Sequence, residues 1–180
     1  EVWGGHLEYS EAINHELDVN KFNKFLIVRN PFDVVVSLAN WWERHDEVPT
    51  EPYLHYKKLN SFEAKLEFLL YGGKTEKYVW PSLDQRYKLY HGWLTDKNTL
   101  VVKYEDLKKS PDLIYSQIVE KFNLPINREL FLKGSEPQFS KTFTTENQKQ
   151  IKKIPEGMLN DFLRSSDLNA FSAFGYNFSA

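Results

Sequence analysis

Residues 24–42 read KFLIVRNPFDVVVSLANWW. The run FLIV (25–28) has the length of a strand and no polar interruption, the pattern of a parallel strand buried on both faces. Asn30 then serves as a helix N-cap, and Pro31 takes the first helical position, where its missing N–H is no loss. Val34, Val35, Leu38, Trp41 and Trp42 fall on one helical stripe. A buried strand that turns at once into an amphipathic helix argues for an α/β fold with a parallel sheet. None of this requires Arg29, Asp33 or Ser37.

Arg29 follows the strand directly. Ligands of open α/β sheets bind at the carboxyl ends of parallel strands. A guanidinium there offers a planar fork of donors suited to phosphate or sulfate. Ser37 shares a helix face with Asp33, Val34 and Trp41 by i, i+3 and i+4 spacing, so its hydroxyl can serve the same anion if that face turns toward it. Taken alone, the spacing favours a simpler reading: a cap, a first-turn acid favoured by the helix dipole, and a small residue at a packing contact.

The rest of the chain bounds the possibilities. Its 180 residues suffice for one domain with a real core, and 41% hydrophobic and 16% aromatic content marks a globular protein. The net charge of −2 supplies no global basic field, so no nucleic-acid partner is expected and any anion site must be local. With no cysteine, disulfides and thiolate metal sites are excluded. No apolar run approaches the roughly 20 residues of a membrane span, and no signal peptide is evident. Compartment stays open, the cytoplasm being favoured, and oligomeric state is not readable.

Further elements follow the same logic. Ser10 opens a short helix, SEAINHELD. RHDEVPTEPYLHYKKLN (44–60), with two prolines and no helical period, reads as an exposed loop. Residues 61–71 and 82–95 read as helices, and NTLVVKY (98–104) as a second buried strand. Ser110 and Pro111 open a helix that carries Leu113, Ile114, Ile118 and Phe122 at helical spacing. Thr145 and Gln148 form a capping box for another helix. Gly72-Gly73-Lys74-Thr75 echoes the end of a phosphate-binding loop, but it follows a helical segment and lacks the upstream glycine, so it reads as a polar turn.

Two segments in combination change the weight given to Arg29. Val28-Arg29-Asn30-Pro31, with Asp33, Val34, Val36 and Ser37, and the later strand followed by Tyr104-Glu105-Asp106-Leu107, resemble the family of sulfotransferases that use 3′-phosphoadenosine-5′-phosphosulfate (PAPS). The resemblance implies that Arg29 and Ser37 hold the 3′-phosphate, that Tyr104 lies near the adenosine, and that Glu105 and Asp106 shape the turn. LKGSEPQFSKTFT (132–144) resembles the family's nucleotide-closing loop through Lys133, Gly134, Phe143 and Thr144. Phe139 stands for a tryptophan there, whereas Leu132, Pro137 and Ser140 depart from the pattern. His6, in GGHLEYS, occupies the order of the family's catalytic base, although Gly4, Gly5 and Glu8 replace its Lys, Thr and Pro neighbours. Imidazole suits proton removal from an acceptor near neutral pH. Glu8 is the alternative base.

The family's 5′-phosphosulfate loop, PKSGTTW-like, is not found between Glu1 and Ala180, and the chain opens on Glu rather than Met. Residues 1–180 are therefore expected to form one sulfotransferase-like domain, the C-terminal three quarters of it. The expected architecture is a three-layer sandwich around a central parallel sheet, P-loop NTPase-like and incomplete at its N-terminus. The implied reaction takes PAPS as sulfonate donor, releases PAP (adenosine 3′,5′-bisphosphate), needs no metal, and acts on a hydroxyl or amine of a small-molecule or glycan acceptor. A P-loop nucleotide kinase and a degenerate binding domain are the alternatives. The kinase predicts a Walker A lysine, which is not found; the binding domain would use aromatics such as Trp41, Tyr53, Tyr56 and Trp80, which equally suit core packing.

Overall fold

The computed structural model describes residues 6–44, 50–134 and 154–179. In chain order its elements are α1 (Glu11–Val19), β1 (Lys24–Val28), α2 (Pro31–Arg44), α3 (Glu51–Lys58), α4 (Phe62–Tyr71), β2 (Gly73–Lys74), β3 (Val79–Trp80), α5 (Leu83–Lys88), α6 (Gly92–Thr95), β4 (Thr99–Lys103), α7 (Tyr104–Lys109), α8 (Pro111–Phe122), α9 (Arg128–Gly134), α10 (Glu156–Ser165) and α11 (Asn169–Ser172). The chain divides into two compact units: Glu1–Arg29 with Lys88–Phe143, and Asn30–Tyr87 with Thr144–Ala180.

The first unit is built on the expected parallel pair. β1 and β4 run side by side in register, Lys24 opposite Thr99 through Val28 opposite Lys103. Helix α8 covers the pair through Ile114 and Ile118, which close over Val102 with Leu100, Leu107, Phe122 and Phe131 around them. Leu113, on the expected stripe, is exposed instead. The α8 stripe is therefore narrower than spacing alone suggests.

β1 departs from the expectation of burial on both faces. Lys24 and Val28 are buried, whereas Phe25 and Ile27 are 43% and 58% exposed. Alternating residues of a strand face opposite ways. The apolar run thus describes one covered face and one open face, and chemistry alone does not tell them apart. Phe25 finds partial cover edge-on against Phe122, ring centroids 4.8 Å apart.

At the start of β1, the buried Lys24 amine donates to Asp18 and Asp96, both at 2.7 Å, and to Asn14. It also sits 5.9 Å from the Trp93 ring centroid. A charge taken out of water needs such partners. This cluster joins α1, β1 and the turn before β4. Ser10 caps α1 as expected, its Oγ accepting from the Ile13 N–H at 3.2 Å.

The second unit begins with the cap read from sequence: Asn30 Oδ1 accepts from the Phe32 N–H at 3.0 Å. The buried face of α2 is Phe32, Val35, Val36, Ala39 and Trp42. Val34 and Leu38 are half-buried and Trp41 is exposed, so the stripe lies rotated from the expected one. The cause is the partner surface, because Trp42 packs edge-on against Tyr53 and Tyr56.

Those tyrosines belong to α3, which corrects the reading of 44–60 as a loop over residues 51–58. Pro52 stands in the first turn, where proline is tolerated, so it did not break the helix. Tyr53 and Tyr56, at i and i+3, form the apolar stripe, and the Tyr56 hydroxyl donates to the Ala39 carbonyl at 3.2 Å.

Helix α4 supplies Leu66, Phe68, Leu69 and Leu70 to the same core, joined by Phe162 and Phe171 from α10 and α11. Gly72 ends α4 at φ 72°, and a Cβ there would lie 2.2 Å from the Trp80 carbonyl oxygen. Gly73 and Lys74 form one strand of a short antiparallel pair with Val79 and Trp80. The glycine pair is thus a hairpin entry, and Thr75 closes it by donating to the Tyr78 carbonyl at 2.9 Å. The helix expected over 82–95 is two helices, α5 and α6. The helix expected from Thr145 and Gln148 lies outside the described residues.

Candidate functional site

The register of the parallel pair sets the site. Val28 lies opposite Lys103, so Arg29 and Tyr104 leave the sheet as neighbours at its carboxyl end. The Arg29 guanidinium carbon lies 4.7 Å from the centroid of the Tyr104 ring. A guanidinium over a ring is held by the quadrupole, and its planar fork of donors matches two oxygens of a tetrahedral phosphate or sulfate.

Lys108 stands four residues beyond Tyr104, one turn along α7. Its amine titrates below the ordinary lysine value, through partial burial first and the Arg29 charge second. Two cations are thus close enough to disfavour one another at this end of the sheet. An anion between them would relieve that repulsion. Sequence reading named Arg29 and Tyr104 but missed Lys108; its i+4 spacing from Tyr104 in YEDLKK was the available signal.

The other expected residues fall as follows. Lys133 and Gly134 close α9 in the first unit, and both are exposed. The remainder of the 132–144 loop, including Pro137, Phe139, Ser140, Phe143 and Thr144, lies outside the described residues. Ser37 lies within α2 of the second unit, half-buried, and its hydroxyl makes no hydrogen bond among the described residues. Mid-helix serines commonly bond back to a carbonyl of the preceding turn, and Ser37 does not. Asp33 sits in the first turn of the same helix, as a dipole-favoured acid should.

His6 is exposed and makes no hydrogen bond or ion pair among the described residues. The segment after it is fixed. The Trp93 indole N–H donates to the Leu7 carbonyl at 3.0 Å, and the Tyr9 N–H donates to the Leu89 carbonyl at 2.8 Å. The Tyr9 and Trp93 rings meet edge to face at 5.0 Å. His6 therefore projects from a docked segment of the first unit. Glu8, within it, is exposed. Neither the docking nor its dependence on Trp93 was visible in sequence.

The chain belongs to the sulfotransferase domain family, whose description matches residues 6–167. Among solved structures, it is similar to mouse sulfotransferase SULT7A1 complexed with PAP, with a TM-score of 0.57 and 16% sequence identity. The likeness covers 89% of this chain and 65% of that one. At that identity it establishes the fold, a mixed α/β architecture with a parallel sheet. No protein of curated function matches the chain.

Proposed function

We propose that this chain carries the 3′-phosphate end of a PAPS site, in a sulfotransferase that moves a sulfonate group to a hydroxyl or amine of a small-molecule or glycan acceptor. The observation that supports it most is Arg29 stacked on Tyr104 at the carboxyl ends of two adjacent parallel strands. A guanidinium beside an aromatic face, at the carboxyl end of a parallel pair, suits a phosphate attached to a nucleoside. Family membership over residues 6–167 supports the same reading.

In this reading Arg29 binds the 3′-phosphate and Tyr104 orients Arg29 beside the adenosine. Ser37 is retained as a nucleotide-binding hydroxyl on its sequence spacing, and Lys133 and Gly134 as donors from the closing loop. PAPS supplies an activated sulfonate. The acceptor oxygen or nitrogen forms a bond to sulfur while the bond from sulfur to the bridging phosphate oxygen breaks, and PAP leaves with that electron pair. The acceptor proton passes to His6, or to Glu8 if the imidazole is not the base.

The test compares PAP with adenosine 5′-monophosphate, which lacks the 3′-phosphate, by calorimetric titration of the chain. PAP should bind more tightly, and Arg29→Ala should remove about tenfold or more of that preference, the scale of a charge-assisted hydrogen bond. Equal affinity for the two nucleotides, or a preference untouched by Arg29→Ala, overturns the reading.

A further inference from the structure

At the amino end of β1 and β4 lies a cleft of about 380 Å³, near the lower end of the volumes typical of small-ligand sites. Phe22 and Asn23, just before β1, and Lys97 and Asn98, just before β4, supply part of its wall. Lys21, Lys121 and Phe122 complete it, with Asp18 at one side.

Three features bear on what this cleft could hold. First, Lys21, Lys97 and Lys121 all line the cleft, and none pairs with a carboxylate among the described residues. Lys121 instead donates to the Lys97 carbonyl at 2.7 Å, which draws the two chain segments together. Second, the one acid present is already engaged. Asp18 accepts from Lys24 at 2.7 Å and from the Asn98 side chain at 3.1 Å, and these bonds hold its pKa below the ordinary value. Third, Lys21 has φ 57°, the left-handed region that helix ends usually assign to glycine or asparagine. Keeping a lysine there costs conformational energy, and strain of this kind gathers at functional positions.

The walls also carry apolar surface. Phe22 is exposed to the extent of 42%, and Phe122 is half-buried beside Phe25. Three lysines and two phenylalanines lining one cleft suit an oxyanion on a flat apolar body. We infer that this cleft binds a small phosphate or sulfate ester of an aromatic or nucleoside type, held by Lys21, Lys97 and Lys121 and stacked against Phe22. The inference does not depend on the nucleotide reading of Arg29.

Phenyl phosphate is the probe, titrated into the ¹⁵N-labelled Arg29→Ala chain so that the Arg29 site does not contribute. The amides of Lys21, Phe22 and Asn98 should shift together on a single isotherm. Lys21→Gln combined with Lys121→Gln should weaken binding about tenfold or more, the loss expected for charge-assisted contacts. Inorganic phosphate should bind more weakly than phenyl phosphate, and Phe22→Ser should erase the difference. These side chains are exposed, so the variants should keep the parent's thermal midpoint, and that is measured alongside. Absence of shifts at the cleft overturns the inference, as does binding unchanged by the double lysine substitution. Equal affinity for the two phosphates overturns the assignment of an apolar body.

Discussion

At the scale of single residues, the site turns on the difference between an arginine and a mere positive charge. Lysine would keep the charge at position 29 but not the planar fork or the stack on Tyr104. Arg29→Lys should therefore behave almost as badly as Arg29→Ala, with about tenfold loss of the preference for PAP over adenosine 5′-monophosphate. Tyr104→Phe retains the ring face and should leave that preference within about threefold, whereas Tyr104→Leu should lose it. Calorimetry on the three variants checks this ordering; a harmless Arg29→Lys would mean that charge alone suffices. Arg29 itself was legible in sequence only in combination, since the spacing of 29–37 alone favoured a plain cap and the Tyr104–Leu107 turn changed its weight. Its contact with Tyr104 was not, because it follows from strand register, and nothing local in the sequence states that residue 28 lies opposite residue 103.

At the scale of elements, two junctions hold the first unit in shape. One is Lys24. Burial alone would lower its pKa, but the bonds it makes to Asp18 and Asp96 outweigh that and hold the amine above its ordinary value of 10.5. Burial likewise opposes the charge on Asp96, yet bonds from Lys24 and Thr99 bring its pKa below 3.8. The signs fix the pH window. The depressed carboxylate contributes stability above its unfolded pKa and loses it as pH falls further; the raised amine contributes below its unfolded pKa and loses it only in strong alkali. The cluster should thus stabilise evenly from about pH 5 to 9 and fail below about pH 4. Lys24→Met leaves the Asp96 charge buried without its cation, with only its bonds from Thr99 and Asn98, so it should cost about 3 kcal/mol in urea unfolding at neutral pH. The gap to the parent should narrow as acid neutralises Asp96; a pH-independent gap would deny the ion pair its role.

The other junction is the docking of Leu7–Tyr9 on α6. A Cβ at Gly92 would lie 1.9 Å from the Tyr9 ring, too close for either to stay. Gly92→Ala should destabilise by about 1–3 kcal/mol, the usual scale of overpacking. Adding Tyr9→Ala should recover part of that loss, which thermal unfolding of the single and double variants would show. If His6 is the base, Gly92→Ala should also lower kcat more than it raises KM, since it disturbs the segment that carries His6.

At the scale of the whole molecule, the two units differ in how well their apolar surface is covered, and this marks where sequence reading stopped. Periodicity located α8 because it carries a stripe at helical spacing, and β1 and β4 were located because each is a short apolar run. It could not say which side of β1 is covered, because Phe25 and Ile27 look no different from Leu26 and Val28 until neighbours are placed. It passed over α3 because two buried tyrosines sit in a segment rich in charge and proline. Local stability should follow cover. The core of the first unit is a small cluster around Val102, Ile114 and Ile118, and one face of β1 is open. The core of the second is extensive, with Leu66, Leu69 and Leu70 of α4 fully enclosed. Opening free energies within one protein track buried apolar contact and exposed backbone bonding. Amides of residues 24–28 should therefore exchange with solvent deuterium at least about tenfold faster than those of residues 66–71, at a pH where intrinsic rates are matched. Equal protection in the two segments would mean that the open face of β1 does not govern its stability.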